Sequence, residues 1–153
     1  MTDCPFCEIV ARRRAQEIVY ADDLVVAFLC EPPATWGHVL IVPRVHRRDI
    51  WDAPRDEATA VMAAAHLLAG VARDELGAVG VNLRQNSGAR AGQDVFHFHL
   101  HLVPRYEDDT VQPGCVWGEA PWRPPEGGDE ERRRVAAAIR RGVAARHSSG
   151  TPG

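Results

Sequence analysis

The sequence contains no lysine: all 18 of its basic residues are arginine. Alanine, glycine and proline are abundant as well, which indicates a coding bias rather than arginines kept for function. The formal net charge of −3 gives no reason to expect a nucleic-acid partner. No apolar run approaches the ~20 residues of a membrane span, and residues 1–10 lack the layout of a signal peptide. We therefore expect a cytoplasmic protein without a membrane partner.

The chain length of 153 residues is typical of one domain. We place this domain at residues 1–146 and predict a disordered tail at 147–153. Cysteines of a cytoplasmic protein should be reduced. The pair Cys4-Pro-Phe-Cys7 is therefore a candidate metal or redox motif rather than part of a disulfide framework.

Alternating and helical hydrophobic patterns divide the chain into five strands and two main helices. Pro54, acidic residues in the first turn and Gly77 favour one long helix over residues 54–77. A C-terminal helix is predicted at 129–145 and a short helix at 7–14. The predicted strands cover residues 17–20, 24–29, 38–42, 79–86 and 94–103. The short connections favour an α+β fold built on a five-stranded antiparallel sheet.

The segment HFHLHLV, residues 97–103, places a histidine at every second position. Because side chains alternate along a strand, His97, His99 and His101 should share one face, ~6.5–7 Å apart. The apolar residues between them should form core. Three interpretations stay open: a solvent-facing row, a metal site made by all three rings, and nucleophilic catalysis on phosphorus.

This segment resembles the His-φ-His-φ-His-φ-φ signature of the histidine triad (HIT) superfamily, where φ is apolar. Residues 28–46 (FLCEPPATWGHVLIVPRVH) and 86–105 (NSGARAGQDVFHFHLHLVPR) are similar to two further segments of that family. The resemblance covers residues 4 to 106. It implies an α+β domain that pairs into a homodimer and acts as a nucleotide hydrolase or nucleotidyltransferase at an α-phosphate.

The resemblance also implies site residues. His99 matches the family's nucleophile, His101 a partner that contacts phosphate, and His38 a supporting histidine. The matching substrate-binding positions are Asn86, Gln93, Phe6, Ile9 and Phe28.

The implied chemistry suits these residue types. A neutral imidazole is a competent nucleophile because its ordinary pKa is about 6.5, and attack on phosphorus would give a covalent nucleotidyl-histidine. One ring nitrogen of His99 must then keep its proton, so we expect a backbone carbonyl to hold this tautomer. His101, the Gln93 amide and loop N–H groups are candidate donors to the phosphoryl oxygens.

The resemblance also gives Cys4 and Cys7 two possible partners, His46 and His97. Some branches of the superfamily hold zinc with two cysteines and two histidines, one of which is the first triad histidine. We expect such a structural zinc site here. The alternative is two reduced cysteines and a surface His46.

Three positions depart from the family pattern. Cys30 and Glu31 occupy positions where the family has an aspartate that binds ribose and an apolar neighbour. Glu31 could reach the ribose instead, or could point to solvent. Asp94 replaces a serine or threonine near the leaving group, where it could act as a general acid or lie exposed without a role. These departures favour a less common nucleotide conjugate over a generic purine phosphoramidate.

Two other functions remain open. One is a zinc-stabilised nucleotide-binding or regulatory protein with little catalysis. The other is an enzyme whose triad binds a catalytic metal.

Overall fold

The computed structural model describes residues 4–109 and 125–149, which form an α+β domain. Five strands make one sheet in the order β1-β2-β3-β5-β4, with all neighbouring strands antiparallel. The strands are β1 (Ile18–Ala21), β2 (Val25–Leu29), β3 (Val39–Pro43), β4 (Gly80–Arg84) and β5 (Leu100–Arg105). The helices are α1 (Pro5–Val10), α2 (Arg55–Leu76) and α3 (Gly128–Ser149). The predicted fold class is confirmed.

Local chemistry explains where the hairpin and the long helix begin and end. Asp22 accepts hydrogen bonds from the backbone N–H groups of Leu24 and Val25, which fixes the turn between β1 and β2. Pro54 precedes α2, and Gly77 ends it in a left-handed conformation with φ of 72°. The prediction for this helix was correct to within one residue at each end.

The two faces of the sheet carry different side chains. One face packs against α2 and α3 through a large apolar core that includes Phe98, Leu100 and Leu102. The opposite face carries His99 and His101 beside a smaller apolar cluster, to which α1 contributes Phe6 and Ile9. Alternation along the 98–102 segment therefore separates the apolar core residues from the histidines, as the sequence predicts.

Strand β5 begins later than predicted. It starts at Leu100 rather than at residue 94, so His97 and His99 lie in the segment that leads into it, which bends at residues 95–97. Phe96 does not join the core and is 40% exposed beside the Arg48 guanidinium. The segment from Gln93 to His99 is held by hydrogen bonds such as those of the Gln93 side chain rather than by a strand ladder. The alternating sequence pattern did not reveal this difference.

Helix α3 is longer than predicted. It begins at Gly128 and continues to Ser149, so it includes residues 147–149, which the sequence predicts as part of a disordered tail. The rest of that predicted tail, residues 150–153, lies outside the described residues. Ion pairs between Arg140 and Glu17 and between Arg146 and Asp74 fasten α3 to the sheet and to α2.

None of the helices in the described part of the chain is long and apolar enough to cross a membrane.

Candidate active site and metal centre

Four side chains converge where α1 meets the segment before β5. The ligand atoms of Cys4, Cys7, His46 and His97 all lie within 4.8 Å of one another. The His46 Nδ1 atom is 3.3 Å from the Cys7 Sγ atom, and the His97 Nδ1 atom is 3.5 Å from the Cys4 Sγ atom and 3.6 Å from the Cys7 Sγ atom. Tetrahedral zinc with ordinary bond lengths sets its sulfur and nitrogen ligands roughly 3.5 Å apart. The arrangement fits such an ion.

His97 presents the correct nitrogen for this role. Its Nε2–H donates to the Pro43 carbonyl oxygen at 3.0 Å, which leaves the lone pair on Nδ1, beside the two thiols. Burial lowers the pKa of His97 to about 4, so the ring is neutral near pH 7. Burial also raises the pKa of Cys7 to about 11, with the neighbouring Cys4 as a second cause. A bound cation would oppose that rise by favouring the thiolate.

His99 is oriented by the same histidine. Its Nδ1–H donates to the His97 carbonyl oxygen at 2.7 Å, so its Nε2 carries the lone pair. Burial lowers the pKa of His99 and keeps the ring neutral. The ring of Phe6 stands edge-on to it, with the centroids 5.2 Å apart. The backbone carbonyl expected from the chemistry is present, and it belongs to a candidate zinc ligand.

His101 and His38 form a hydrogen-bonded relay. The Ala34 N–H donates to His38 Nδ1 at 3.1 Å, so the other nitrogen, Nε2, carries the proton. That Nε2–H donates to His101 Nδ1 at 3.0 Å. The proton of His101 is thereby placed on its Nε2, which becomes a donor. Burial lowers the pKa of His38 to about 3 and that of His101 to about 4.

The structure contains a second cysteine–histidine cluster, and it differs from the first in which of its nitrogens can bind a metal. Cys30, His38 and His101 also bring their ligand atoms within 4.8 Å of one another. Both nitrogens of His38 and the Nδ1 of His101 are already used in the relay, and burial raises the pKa of Cys30 to about 12. This cluster is held by hydrogen bonds, whereas the first one offers lone pairs to a metal.

Gln93 braces the loop in front of the triad. Its Nε2 donates to the carbonyl oxygens of Arg48 at 2.7 Å and Val95 at 3.1 Å, and its Oε1 accepts from the Gly88 N–H at 2.7 Å. These bonds use both amide hydrogens, and a contact of this side chain with phosphate stays a prediction. Asn86 donates to the Gly92 carbonyl oxygen at 3.2 Å across the same loop. The two amides shape the loop.

A model of the HIT domain matches residues 12–108, which is more than half of the chain. The chain belongs to the HIT family. The matched range includes the triad and the glycine-bearing loop, but not the Cys4–Cys7 pair or α3. The resemblance inferred from the sequence is confirmed.

Curated relatives and solved structures agree with this assignment. "Protein hit" of Bacillus subtilis is 38% identical over 116 residues, which cover 75% of this chain and 79% of the relative. The adenylylsulfatase HINT3 of Arabidopsis thaliana is 31% identical over 140 residues, covering 91% of this chain and 68% of the plant protein. A zinc-bound histidine triad family protein from Mycobacterium smegmatis has a TM-score of 0.81 at 30% identity, with 96% and 97% of the two chains covered.

Of the apolar residues expected to bind a base, Phe28 lies inside the matched range, whereas Phe6 and Ile9 precede it on α1. Phe6, Ile9 and Phe28 are all buried, and the rings of Phe6 and Phe28 are tilted with their centroids 5.5 Å apart. They belong to the small cluster on the histidine face. The structure thus brings these three residues together on the histidine face as a packed cluster, and their contact with a base stays a prediction.

The departures from the HIT pattern have distinct surroundings. Both carboxylate oxygens of Glu31 are bound by the Arg132 guanidinium of α3, so Glu31 is an anchor for that helix as the structure stands. Asp94 is exposed, and its Oδ1 accepts a hydrogen bond from the Val95 N–H at 2.8 Å. The Asp94 charge opposes the effect of burial on His99 and His101, since it raises the pKa of both rings.

Sequence reasoning missed Arg84. In the register of β4 and β5 this residue is paired with His101, so the two side chains share a face. Its Nε donates to Asn86 Oδ1 at 3.0 Å, and its charge contributes to the lowered pKa of His101, after burial and His99. A charged arginine at the end of a strand that contains Val81 and Leu83 was a signal in the sequence that this residue has a role. The strand register that places Arg84 beside the triad could not be recognised in the sequence.

Proposed function

We propose that this HIT protein is a nucleotide hydrolase or nucleotidyltransferase that forms a covalent nucleotidyl-histidine on His99. The observation that carries the proposal is the bond from His99 Nδ1–H to the His97 carbonyl oxygen, because it leaves Nε2 as a nucleophile in a neutral ring. The adenylylsulfatase relative and a HIT family hydrolase from Legionella pneumophila support the reaction class.

In the first step, the lone pair of His99 Nε2 attacks the α-phosphorus, and the bond from phosphorus to the leaving group breaks. The electron pair departs with the leaving group, which takes up a proton from solvent. The hydrogen bonds from the Ala34 N–H to His38 and from His38 to His101 fix the tautomer of His101 that carries its proton on Nε2. His101 can therefore donate to a phosphoryl oxygen as charge develops.

In the second step, an acceptor attacks the phosphorus of the intermediate, and the pair of the phosphorus–nitrogen bond returns to His99. With water as acceptor, one of its protons passes to solvent and the products are a nucleotide and the protonated leaving group. With another hydroxyl or phosphate as acceptor, the same intermediate gives nucleotidyl transfer.

We further propose that Cys4, Cys7, His46 and His97 hold a structural zinc ion. Their distances and the Nδ1 lone pair of His97 support this role, as does the zinc-bound relative from Mycobacterium smegmatis. When bound, zinc would tie α1 to the segment that carries the nucleophile.

A homodimer is the third part of the proposal. Strand β4 forms one edge of the sheet and exposes Val81 and Leu83, and Val79 just before the strand is exposed as well. An exposed apolar edge strand favours pairing with another chain. Leu83→Lys should therefore shift the mass measured by light scattering from two chains to one.

The covalent step is tested by quenching the protein during turnover of nucleoside phosphoramidates and mapping the adduct by mass spectrometry. We expect a nucleotidyl group on the peptide that contains His99, and none in the His99→Ala variant. Tight nucleotide binding with neither adduct nor product from a broad set of conjugates would favour a binding protein instead.

A further inference from the structure

The loop that precedes the triad fixes one acidic side chain in place. Gln93 is 5% exposed and its amide is bonded to three backbone groups, which leaves the next residue, Asp94, little freedom in its main chain. The Asp94 Oδ1 atom accepts the Val95 N–H bond. Val95 packs against the apolar cluster on the histidine face. The carboxylate is therefore anchored at the edge of the site.

The charge of Asp94 is not neutralised within the described part of the chain, where it forms no ion pair. The nearby carboxylate of Glu31 differs, because Arg132 binds both of its oxygens. The field of Asp94 reaches three residues of the site, since it raises the pKa of Cys30, His99 and His101. A substrate held at the triad lies within the same field.

Among substrates of the proposed reaction, the leaving group is the part whose charge can vary near Asp94. Every substrate of the proposed reaction has an α-phosphate, and the nucleoside carries no formal charge near pH 7. Differences in electrostatic energy between substrates near Asp94 therefore come from the leaving group. An anionic leaving group is repelled by the carboxylate, whereas a cationic one is attracted.

We propose that Asp94 determines specificity by selecting nucleotide conjugates whose leaving group carries positive charge, such as an amine with a second, protonated amino group. This inference rests on the proposed function. It implies that anionic leaving groups such as sulfate, pyrophosphate or a second nucleotide are poor substrates. The chemistry at phosphorus is unchanged, because Asp94 acts on the charge of the departing group.

The test uses three nucleoside 5′-phosphoramidates with the same base and the same straight-chain amine. The chains end in an ammonium, a hydroxyl or a carboxylate group. For the native protein we expect kcat/KM to fall in that order, with about a tenfold or larger ratio between the cationic and anionic substrates. Added salt should lower this ratio because exposed charges are screened.

Asp94→Asn removes the charge and keeps an oxygen that can accept the Val95 N–H bond. We expect this variant to bring the ratio of kcat/KM values close to one, and Asp94→Ser to do the same should the asparagine variant fold poorly. Glu75→Gln is the matched control, because it neutralises an exposed acid on α2, which covers the other face of the sheet. The control should keep the native ratio.

The outcomes separate the inference from the proposed function. A native ratio near one, or a ratio that Asp94→Asn leaves unchanged, would overturn the role of Asp94 while the hydrolase function stands. No turnover of all three conjugates and no adduct on His99 would overturn the function, and the inference with it.

Discussion

The two faces of the sheet use the same strands for different purposes. On the face covered by α2 and α3, alternate residues of the strands contribute apolar side chains that exclude water, and the buried surface stabilises the fold. On the opposite face, the buried groups include the imidazoles of His38, His97 and His99, each bonded to a backbone group. Burial of unbonded polar groups would cost free energy, so this face needs a specific bond for each ring.

The comparison shows why the histidine face is the sensitive one. An apolar core tolerates substitutions that keep volume and pattern. A buried imidazole tolerates few, because its tautomer depends on a single acceptor or donor in the backbone. The His97 carbonyl sets His99, and the Ala34 N–H sets His38 and through it His101.

The difference between the two faces is tested most directly by substituting His99 and Leu100, two neighbouring residues that point to opposite faces of the sheet. His99→Asn should lower kcat at least about a thousandfold, because the proposed nucleophile is lost. We expect the free energy of unfolding to change by less than about 1 kcal/mol, since asparagine can still donate to the His97 carbonyl oxygen. Both effects are measured by steady-state kinetics and urea unfolding.

Leu100→Ala is the crossed control. It should lower the free energy of unfolding by about 2–4 kcal/mol by opening a cavity under α2, while kcat stays within about threefold. If both variants lost activity and stability alike, the two faces would not be separable in the way that the structure indicates.

The second prediction concerns the metal that would hold α1 on the histidine face. Cys7→Ser should remove one zinc per chain, measured by elemental analysis. The variant should unfold at a lower temperature, with a loss of about 3 kcal/mol or more. Cys30→Ser, in the cluster held by hydrogen bonds, should retain the zinc. An equal zinc content in both variants would contradict the contrast between the two cysteine–histidine clusters.

A third prediction follows from the buried relay. The pKa of His38 is about 3 and that of His101 is about 4, both lowered mainly by burial, whereas unfolded histidine titrates near 6.5. The unfolded chain therefore binds protons first. Stability from the neutral rings is complete above pH ~6.5 and is lost as the pH falls towards 4.

We expect each of the two rings to contribute about 2–3 kcal/mol, or roughly 5 kcal/mol together, of lost stability between pH 7.5 and 4.5, measured by urea unfolding. His38→Gln keeps a polar side chain at this position and should reduce the pH dependence. An unchanged slope in that variant would assign the effect to other groups.

The sequence was sufficient for the fold class, the long helix and the grouping of the histidines, because periodicity and motif spacing are local. It did not reveal that Gln93 braces the loop, since its three partners lie at Arg48, Gly88 and Val95. Nor did it place Arg84 beside His101, which depends on strand register. The bond from Gln93 to Arg48 and the pairing of Arg84 with His101 join segments that are distant in sequence, and no local pattern reveals such contacts.

The smallest expected effect belongs to the helix-covered face. A Cβ atom on Gly142 of α3 would lie 2.6 Å from the Glu75 Cγ atom and 2.7 Å from the Val71 Cγ1 atom of α2. The glycine allows the two helices to approach closely at this point. Gly142→Ala should destabilise the protein by about 1–2 kcal/mol through this clash, although alanine favours the helix itself. Activity at 25 °C should persist, because the contact lies on the side of the sheet opposite the histidines. A more stable Gly142→Ala variant would show that α3 can shift outward without cost, and that the packing of this face is looser than that of the histidine face.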